Sequence, residues 1–412
     1  MIDRRQFLQQ VAAGAAVAGS SLAEAAHADA DEILVGGLHD LSGPLDSAGK
    51  PMHQMLQFAI ADINEAGGLL DRKVRLIAPD TQTNMQLYSS LTQELVLKDR
   101  VCVVMGGITS ASREIIRPLL DRLKTLYFYN TLYEGGVCDR NTFCTATTPG
   151  QTVEKLVSYA TKTWGKKIYI VAADYNYGRI SAGWIKKFAA QSGADVIAAD
   201  FFPLDVTSFG PTIAKIQAAK PDAVMSLLVG AAHLGFYRQW AAAGLKSSIP
   251  IASTTFGGAG TELTILTPEE ANGIVTCVGY YDTIGTEANR AFRARVEAKL
   301  GKPPTGPTLT EVSVCTYEAC MMWADAVKRA GSLDRMKVIE ALETPKGFEF
   351  PTGKVVIDPK THHTTRNVYL GVVKDRQFAI LETYPQQAPV DVQAVCDLAK
   401  NPNDHQQYQI KL

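Results

Sequence analysis

The sequence predicts an α/β protein made of two doubly wound parallel-sheet lobes. Three observations carry that prediction. Apolar strand-like runs alternate with helical patterns from residue 33 to about residue 278, the order that winds helices onto both faces of a parallel sheet. The alternation runs twice, separated by a loop at residues 132–150. At 412 residues the chain exceeds what one hydrophobic core comfortably supports.

The first series opens with the strand "ILVGGL". In "MHQMLQFAIADINEAGG", Met52, Met55, Leu56, Ala59, Ile60 and Ile63 recur at helical spacing until Gly67 and Gly68 stop the helix. "KVRLIAP", "VCVVMGG" and "TLYFYNT" read as strands, with "LYSSLTQELVLK" and "SASREIIRPLLDRL" as helices between them. The second series pairs helix "TVEKLVSYATKTW" with strand "KIYIVAA", and helix "SAGWIKKFAAQS" with strand "DVIAADFFP". Helix "FGPTIAKIQAA", strand "DAVMSLLV", helix "LGFYRQWAAAG" and strands "IPIAST" and "NGIVTCVGYY" complete it. Two long helices, "NRAFRARVEAKL" and "SVCTYEACMMWADAVKRAG", precede the strand-like pieces "GKVVID", "NVYLGVV" and "QFAILETY". These last elements must be shared between the halves.

The N-terminus carries an address. Arg4-Arg5 precede Phe7-Leu8, an Ala/Gly-rich stretch follows, and "AHA" at 26–28 supplies a small-x-small cleavage pattern. This resembles a twin-arginine export signal over residues 1–28. The expected mature protein is soluble, periplasmic and begins near Asp29. With 46% hydrophobic residues, 20% charged residues and a net charge of −1, the chain offers no basic field for nucleic acid or anionic membrane. Of its seven cysteines, Cys138 and Cys144 flank the loop "CDRNTFC" and are the expected disulfide in an oxidising compartment; two unpaired thiols are the alternative. Cys102, Cys277, Cys315 and Cys320 sit in apolar runs and read as core residues.

The polar clusters lie where such a fold puts its ligand. Open parallel sheets bind at the carboxyl ends of their strands. Those ends read "HDLSGP", "GGITSAS", "YNTLYEG", "ADYNYGR", "STTFGG" and "YYDT", rich in Ser, Thr, Tyr and Gly after apolar strands. Thr109 and Ser110 open a helix, so their N–H groups and hydroxyls suit a carbonyl or carboxylate oxygen. Tyr129, Thr131, Tyr175 and Tyr177 offer apolar faces and polar tips, and Thr255 sits at a later strand end. Ser110 acting only as an N-cap, and Tyr175 and Tyr177 as plain loop residues, are the bland alternatives.

Enzyme signatures are missing: there is no GxSxG, GxxxxGK[ST] or HExxH. His362-His363 in "DPKTHHTTRN" reads as surface or loop rather than metal. No catalysis, metal or cofactor is expected.

At these residues the sequence resembles the periplasmic binding proteins of ABC importers, in the branched-chain amino acid binding class, and within it the urea and short-chain amide binding branch. The resemblance runs over nearly the whole mature chain, in "AIADINEAGGLLDRKVRL", "GGITSASRE", "FYNTLYEG", "ADYNYGR", "AAKPDAVMSLLVG" and "GKVVIDPKTHH". It implies a type I Venus-flytrap clamp, with lobe 1 at 29–149 plus 278–350, lobe 2 at 150–277 plus 351–384, and a tail at 385–412. It implies Ser110, Tyr129 and Thr131 as first-lobe contacts, and Tyr175 and Tyr177 as second-lobe contacts. Two departures bear on the solute. Ile108 stands where the relatives carry Trp or Tyr. "STTFGGAG" replaces an acidic loop, so Thr255, Phe256 and Gly257 offer no carboxylate to an ammonium. The expected solute is a small amide, urea-like compound or carboxylate, with any apolar part resting on Phe256. A membrane permease is the implied partner and a monomer the expected state, with a dimer as the alternative. A cytoplasmic sensor of the amide-binding type, a branched-chain amino acid binder and an amide hydrolase are the rival readings.

Overall fold

A computed structural model describes residues 32–303 and 306–409; the export signal expected at 1–28 lies outside them. Strands β1 (Glu32–Leu38), β2 (Lys73–Ile77), β3 (Val103–Gly106), β4 (Leu126–Tyr129), β5 (Val137–Asp139) and β6 (Thr142–Cys144) alternate with helices α1 (Asp46–Glu65), α2 (Met85–Leu97) and α3 (Ser110–Arg122). The stripe read from the sequence is the face that α1 buries, including Met52, Met55, Leu56, Ala59, Ile60 and Ile63. Gly68 then turns the chain at φ +83°, where a Cβ would lie 2.1 Å from the Arg72 carbonyl oxygen, so only glycine fits.

The second series contains α4 (Val153–Thr163), β7 (Lys167–Ala173), α5 (Asn176–Gln191), β8 (Asp195–Phe202), α6 (Gly210–Ala219), β9 (Ala223–Leu227), α7 (Gly230–Ala242) and β10 (Ile251–Ser253). Two single-turn helices, α8 (Glu262–Ile265) and α9 (Pro268–Ala271), lead to β11 (Val275–Val278). Then come α10 (Glu287–Leu300), α11 (Glu311–Ala330), α12 (Arg335–Glu343), β12 (Gly347–Phe350), β13 (Gly353–Asp358), β14 (His363–Lys374) and β15 (Gln377–Gln387). The described chain closes with α13 (Val390–Gln393) and β16 (His405–Gln407).

The main sheet runs β2-β1-β3-β4-β6-β14-β11-β10-β9-β7-β8. Neighbours within each half are parallel. β14 joins the halves: its first residue pairs with Cys144 of β6, and its later residues run antiparallel to β11. Two doubly wound groups thus flank one shared strand. β12 and β13 hang from the first-half end of β14, and α11 packs on α1.

One carboxylate binds the crossings between the halves. Glu311, in the first turn of α11, accepts the Thr147 N–H at 2.8 Å, the Thr147 hydroxyl at 2.7 Å and the Gly279 N–H at 2.7 Å. Nearby, Gln151 donates to the Thr364 and Gln387 carbonyls, each at 2.8 Å.

Two expectations from the sequence are corrected. The disulfide joins Cys138 to Cys396, 258 residues away, and Cys144 is a buried free thiol. The loop "CDRNTFC" is a strand–turn–strand segment whose two strands pair in different sheets. β6 carries Cys144 into the main sheet beside β4, while β5 carries Cys138 to β16 at the strap. The strap of residues 388–409 is docked, with Val392 and Leu398 buried but Val390 and Val395 exposed. His362 and His363 are buried rather than surface residues, each only 1% exposed. His362 stacks on Phe143 with ring centroids 4.0 Å apart, and His363 Nε2 lies 2.5 Å from the Tyr133 hydroxyl.

Candidate functional site

The carboxyl ends of the strands from both groups face one cleft of about 710 Å³, including space open to solvent. Its first-half wall begins at the end of β3. Gly106 adopts φ +135°, where a Cβ would lie 2.2 Å from the Leu38 carbonyl oxygen, and this turn delivers Ile108, Thr109 and Ser110 to the cleft. Thr109, not Ser110, caps α3: its hydroxyl oxygen accepts the Ser112 N–H at 3.0 Å, and Ser112 Oγ accepts the Thr109 N–H at 3.1 Å. Ser110 is therefore the first helical residue. The N–H groups of Ser110 and Ala111 have no partner inside the helix.

Tyr129 and Thr131 stand beside them on the same wall, with Leu45, Ala48 and Leu132. Tyr175, Tyr177, Val229, Gly230, His233, Leu234, Thr255, Glu262 and Ile265 form the opposite wall. Every residue singled out from the sequence lies on this cleft except Phe256. That ring is fully buried behind the wall, packed against His233, Tyr237 and Phe378. Thr255 and Phe256 are adjacent and face opposite ways, so the ring fills the core while the threonine lines the cavity. No apolar part of a solute can rest on Phe256.

The hydroxyl hydrogens have destinations. Ser110 donates to the Glu134 carboxylate, Tyr129 to the Ile108 carbonyl at 3.0 Å, Thr131 to the Gly107 carbonyl at 3.1 Å, and Thr255 to the Leu228 carbonyl at 2.8 Å. Tyr177 shares a 2.7 Å hydrogen bond with Thr254. Burial pushes the Tyr129 and Tyr177 hydroxyls well above the usual phenol range, so both stay protonated. These oxygens consequently present lone pairs to a solute.

Hydrogen-bond donors come from helix starts. α5 begins after Tyr175 and α7 after Val229, and neither end has a side-chain cap. With α3 they bring three helix N-termini, and their positive dipole ends, to the cleft. No Lys or Arg lines it. Arg113 lies behind the first wall, fully buried, 2.8 Å from Glu134 and over the rings of Tyr129 and Tyr133.

Two ionisable lining residues escaped the sequence reading, along with the aliphatic ones other than Ile108. His233 follows the carboxyl end of β9, so the same strand-end rule that found Tyr175 would have found it. Glu262 lies seven residues beyond Thr255 with no local motif to mark it. It brings a carboxylate to the cleft from α8, just beyond the stretch "STTFGGAG", which itself has none. Its Oε2 accepts the Gly257 N–H at 3.2 Å, and burial raises its pKa to about 7. Among the described residues no cluster suited to a metal ion occurs, and no helix is long and apolar enough to cross a membrane.

Residues 32–377 match the family model for periplasmic binding proteins. The chain is 26% identical over 370 residues to Leu/Ile/Val-binding protein homolog 6 of Brucella melitensis, covering 88% of this chain and 92% of that protein. Among solved structures it superimposes on an ABC-transporter solute-binding protein of R. palustris in complex with 4-hydroxybenzoate, with a TM-score of 0.79 and 25% identity over 88% of this chain and 99% of that one. The substrate-binding protein of a branched-chain amino acid transporter from Streptococcus pneumoniae, in complex with isoleucine, shares the fold at a TM-score of 0.73 and 20% identity, covering 86% of this chain and 99% of that one.

Proposed function

Because this chain belongs to the periplasmic binding protein family, we propose that it captures a small solute with a carboxylate or amide head and a flat apolar body. The protein is the solute-binding component of an ABC uptake system, of the branched-chain amino acid class, and works with a membrane permease. The solute is the open part of that function. One observation carries the reading: three helix N-termini meet in a cleft without Lys or Arg, between tyrosines and aliphatic side chains. Unpaired N–H groups at a helix start hold anionic or carbonyl oxygen. Leu45, Ile108, Leu132, Val229 and Ile265 suit an apolar body. The R. palustris relative carries an aromatic acid of this kind.

In this reading Ser110, Thr131 and the start of α3 take the head first. The second wall then closes with Tyr175 and Tyr177, and the solute shifts the population by binding the closed form better. The clamp acts by binding alone, as an exported monomer, with the lobe divisions given by the crossings near 150, 278 and 350. Amides and urea remain in the class because hydroxyl lone pairs on the first wall match amide N–H groups. Glu262 favours a second reading, an α-amino acid whose ammonium meets that carboxylate. Isothermal titration of the mature protein with benzoate, benzamide, acetamide, urea and leucine tests both. Binding of an acid or amide without leucine supports the first reading. Tight leucine binding alone would replace it with the second.

A further inference from the structure

We infer that the cleft has a second polar subsite, the unpaired Nε2 of His233, which accepts a hydrogen bond from a hydroxyl or amine hydrogen on the part of the solute that meets the second wall. The inference rests on the reading of the solute as a small acid or amide. It adds which functional group that solute carries at its other end.

The starting observation is an unsatisfied atom. His233 lies in the first turn of α7, lines the cleft and is 2% exposed, yet its Nε2 has no hydrogen-bond partner among the described residues. Buried polar atoms without partners are rare in folded proteins, and each asks for an explanation. An absent ligand group is one, because this atom belongs to a side chain on the cavity wall.

The surroundings fix which kind of group fits. His233 Nδ1 lies 3.3 Å from Thr255 Oγ1. The Thr255 hydroxyl gives its hydrogen to the Leu228 carbonyl at 2.8 Å. Thr255 Oγ1 therefore meets Nδ1 as an acceptor, so Nδ1 carries the ring hydrogen and Nε2 is left with a lone pair. Burial lowers the imidazole pKa to about 3, which keeps Nε2 unprotonated at neutral pH. The ring is held in place by Tyr237 and Phe256, with centroids 4.7 and 5.7 Å away. A fixed acceptor on the second wall selects for a donor. A site built to hydrogen-bond a hydroxyl rejects the analogue lacking it, because its own polar atom is then left unpaired.

The two walls of the cleft are therefore complementary in sense. Helix N–H groups offer donors at α3, and His233 offers an acceptor on the second wall. The solute class is a hydroxy- or amino-substituted small acid or amide, rather than the unsubstituted one.

The test is calorimetry on the mature protein with matched probes: benzoate, 4-fluorobenzoate, 3-hydroxybenzoate and 4-hydroxybenzoate, and the corresponding benzamides. The inference expects one hydroxylated probe to bind at least about tenfold more tightly than its unsubstituted and fluorinated partners. In His233→Phe that ratio should fall to near one, read as the ratio between matched probes measured in the same variant. His233→Gln, which retains an acceptor, should keep part of the ratio. Nitrogen-15 NMR of the wild-type imidazole, independent of whether variants fold, should show Nε2 responding to the hydroxylated probe and not to benzoate. Equal binding of matched probes, or a ratio that survives His233→Phe, overturns the subsite and leaves the proposed solute class standing. Binding of neither acids nor amides overturns both.

Discussion

Trp184 Nε1 donates a hydrogen bond to the backbone carbonyl of Glu134 at 2.9 Å, joining α5 of the second half to the loop after β4 of the first. The carboxylate of the same glutamate receives the Ser110 hydroxyl, Arg113 and Gln407. A contact between the two halves and a cleft-lining serine are thus anchored on one residue. Trp184→Phe removes the donor and keeps the ring. A net hydrogen bond of roughly 1 kcal/mol that exists only with the lobes together converts to about a fivefold weaker affinity for whichever solute binds. Titration calorimetry measures that loss. Small-angle scattering of the solute-free protein should show a larger radius of gyration in the variant.

Ser110→Ala deletes an oxygen facing the cleft and one of the partners of the Glu134 carboxylate. Arg113 remains paired with that carboxylate, so stability should fall by only about 1 kcal/mol, while solute affinity drops roughly tenfold or more. Arg113→Ala should do the reverse. It strands a fully buried carboxylate and should cost on the order of 3–5 kcal/mol in a denaturation experiment. Parallel melts and titrations separate the two.

Glu262 makes stability depend on pH. Its folded pKa of about 7 lies above the ordinary carboxylate value of 4.5. Between those values the folded state holds a proton that the unfolded state has released. Stability should therefore decline as pH rises from about 4.5 to about 7, and level off above. The full effect is on the order of 3 kcal/mol. Urea denaturation of wild type and Glu262→Gln across that range isolates it, because other groups titrate alike in both. Parallel curves would exclude Glu262 as the source.

Peptide mapping under non-reducing conditions should find Cys138 linked to Cys396 and Cys144 as a free thiol. Cys396→Ser should cost roughly 2–4 kcal/mol, and hydrogen exchange should show the loss concentrated in residues 388–409. A Cys138–Cys144 linkage would contradict the strap.

The winding of both halves was legible because each strand and helix announces itself locally. The stripe from Met52 to Ile63 and the stop at Gly67-Gly68 depend on nothing distant. The cleft was legible in the same measure, since Ile108 to Thr131 and Tyr175 to Thr255 follow their strands directly. Partnerships made across long separations were not. Cys138 cannot show that residue 396 returns to it, and its nearer neighbour Cys144 was the natural reading. Phe256 beside Thr255 gave no sign of which would face inward, because a three-residue strand, β10, sets too little register to fix the loop after it. Glu262 was invisible for the opposite reason: nothing around it in sequence distinguishes it from a surface acid.

Glu311 grips Thr147 through one carboxylate oxygen and Gly279 through the other, so the two chain crossings cannot slip past one another. In the clamp proposed above, this tie leaves the lobes free to swing like a book opening along its spine while it resists shear between the pages. A solute then meets its two walls in the same alignment at each closing. Selectivity in such a clamp is a matter of registration, set far from the cleft by a side chain the solute never touches.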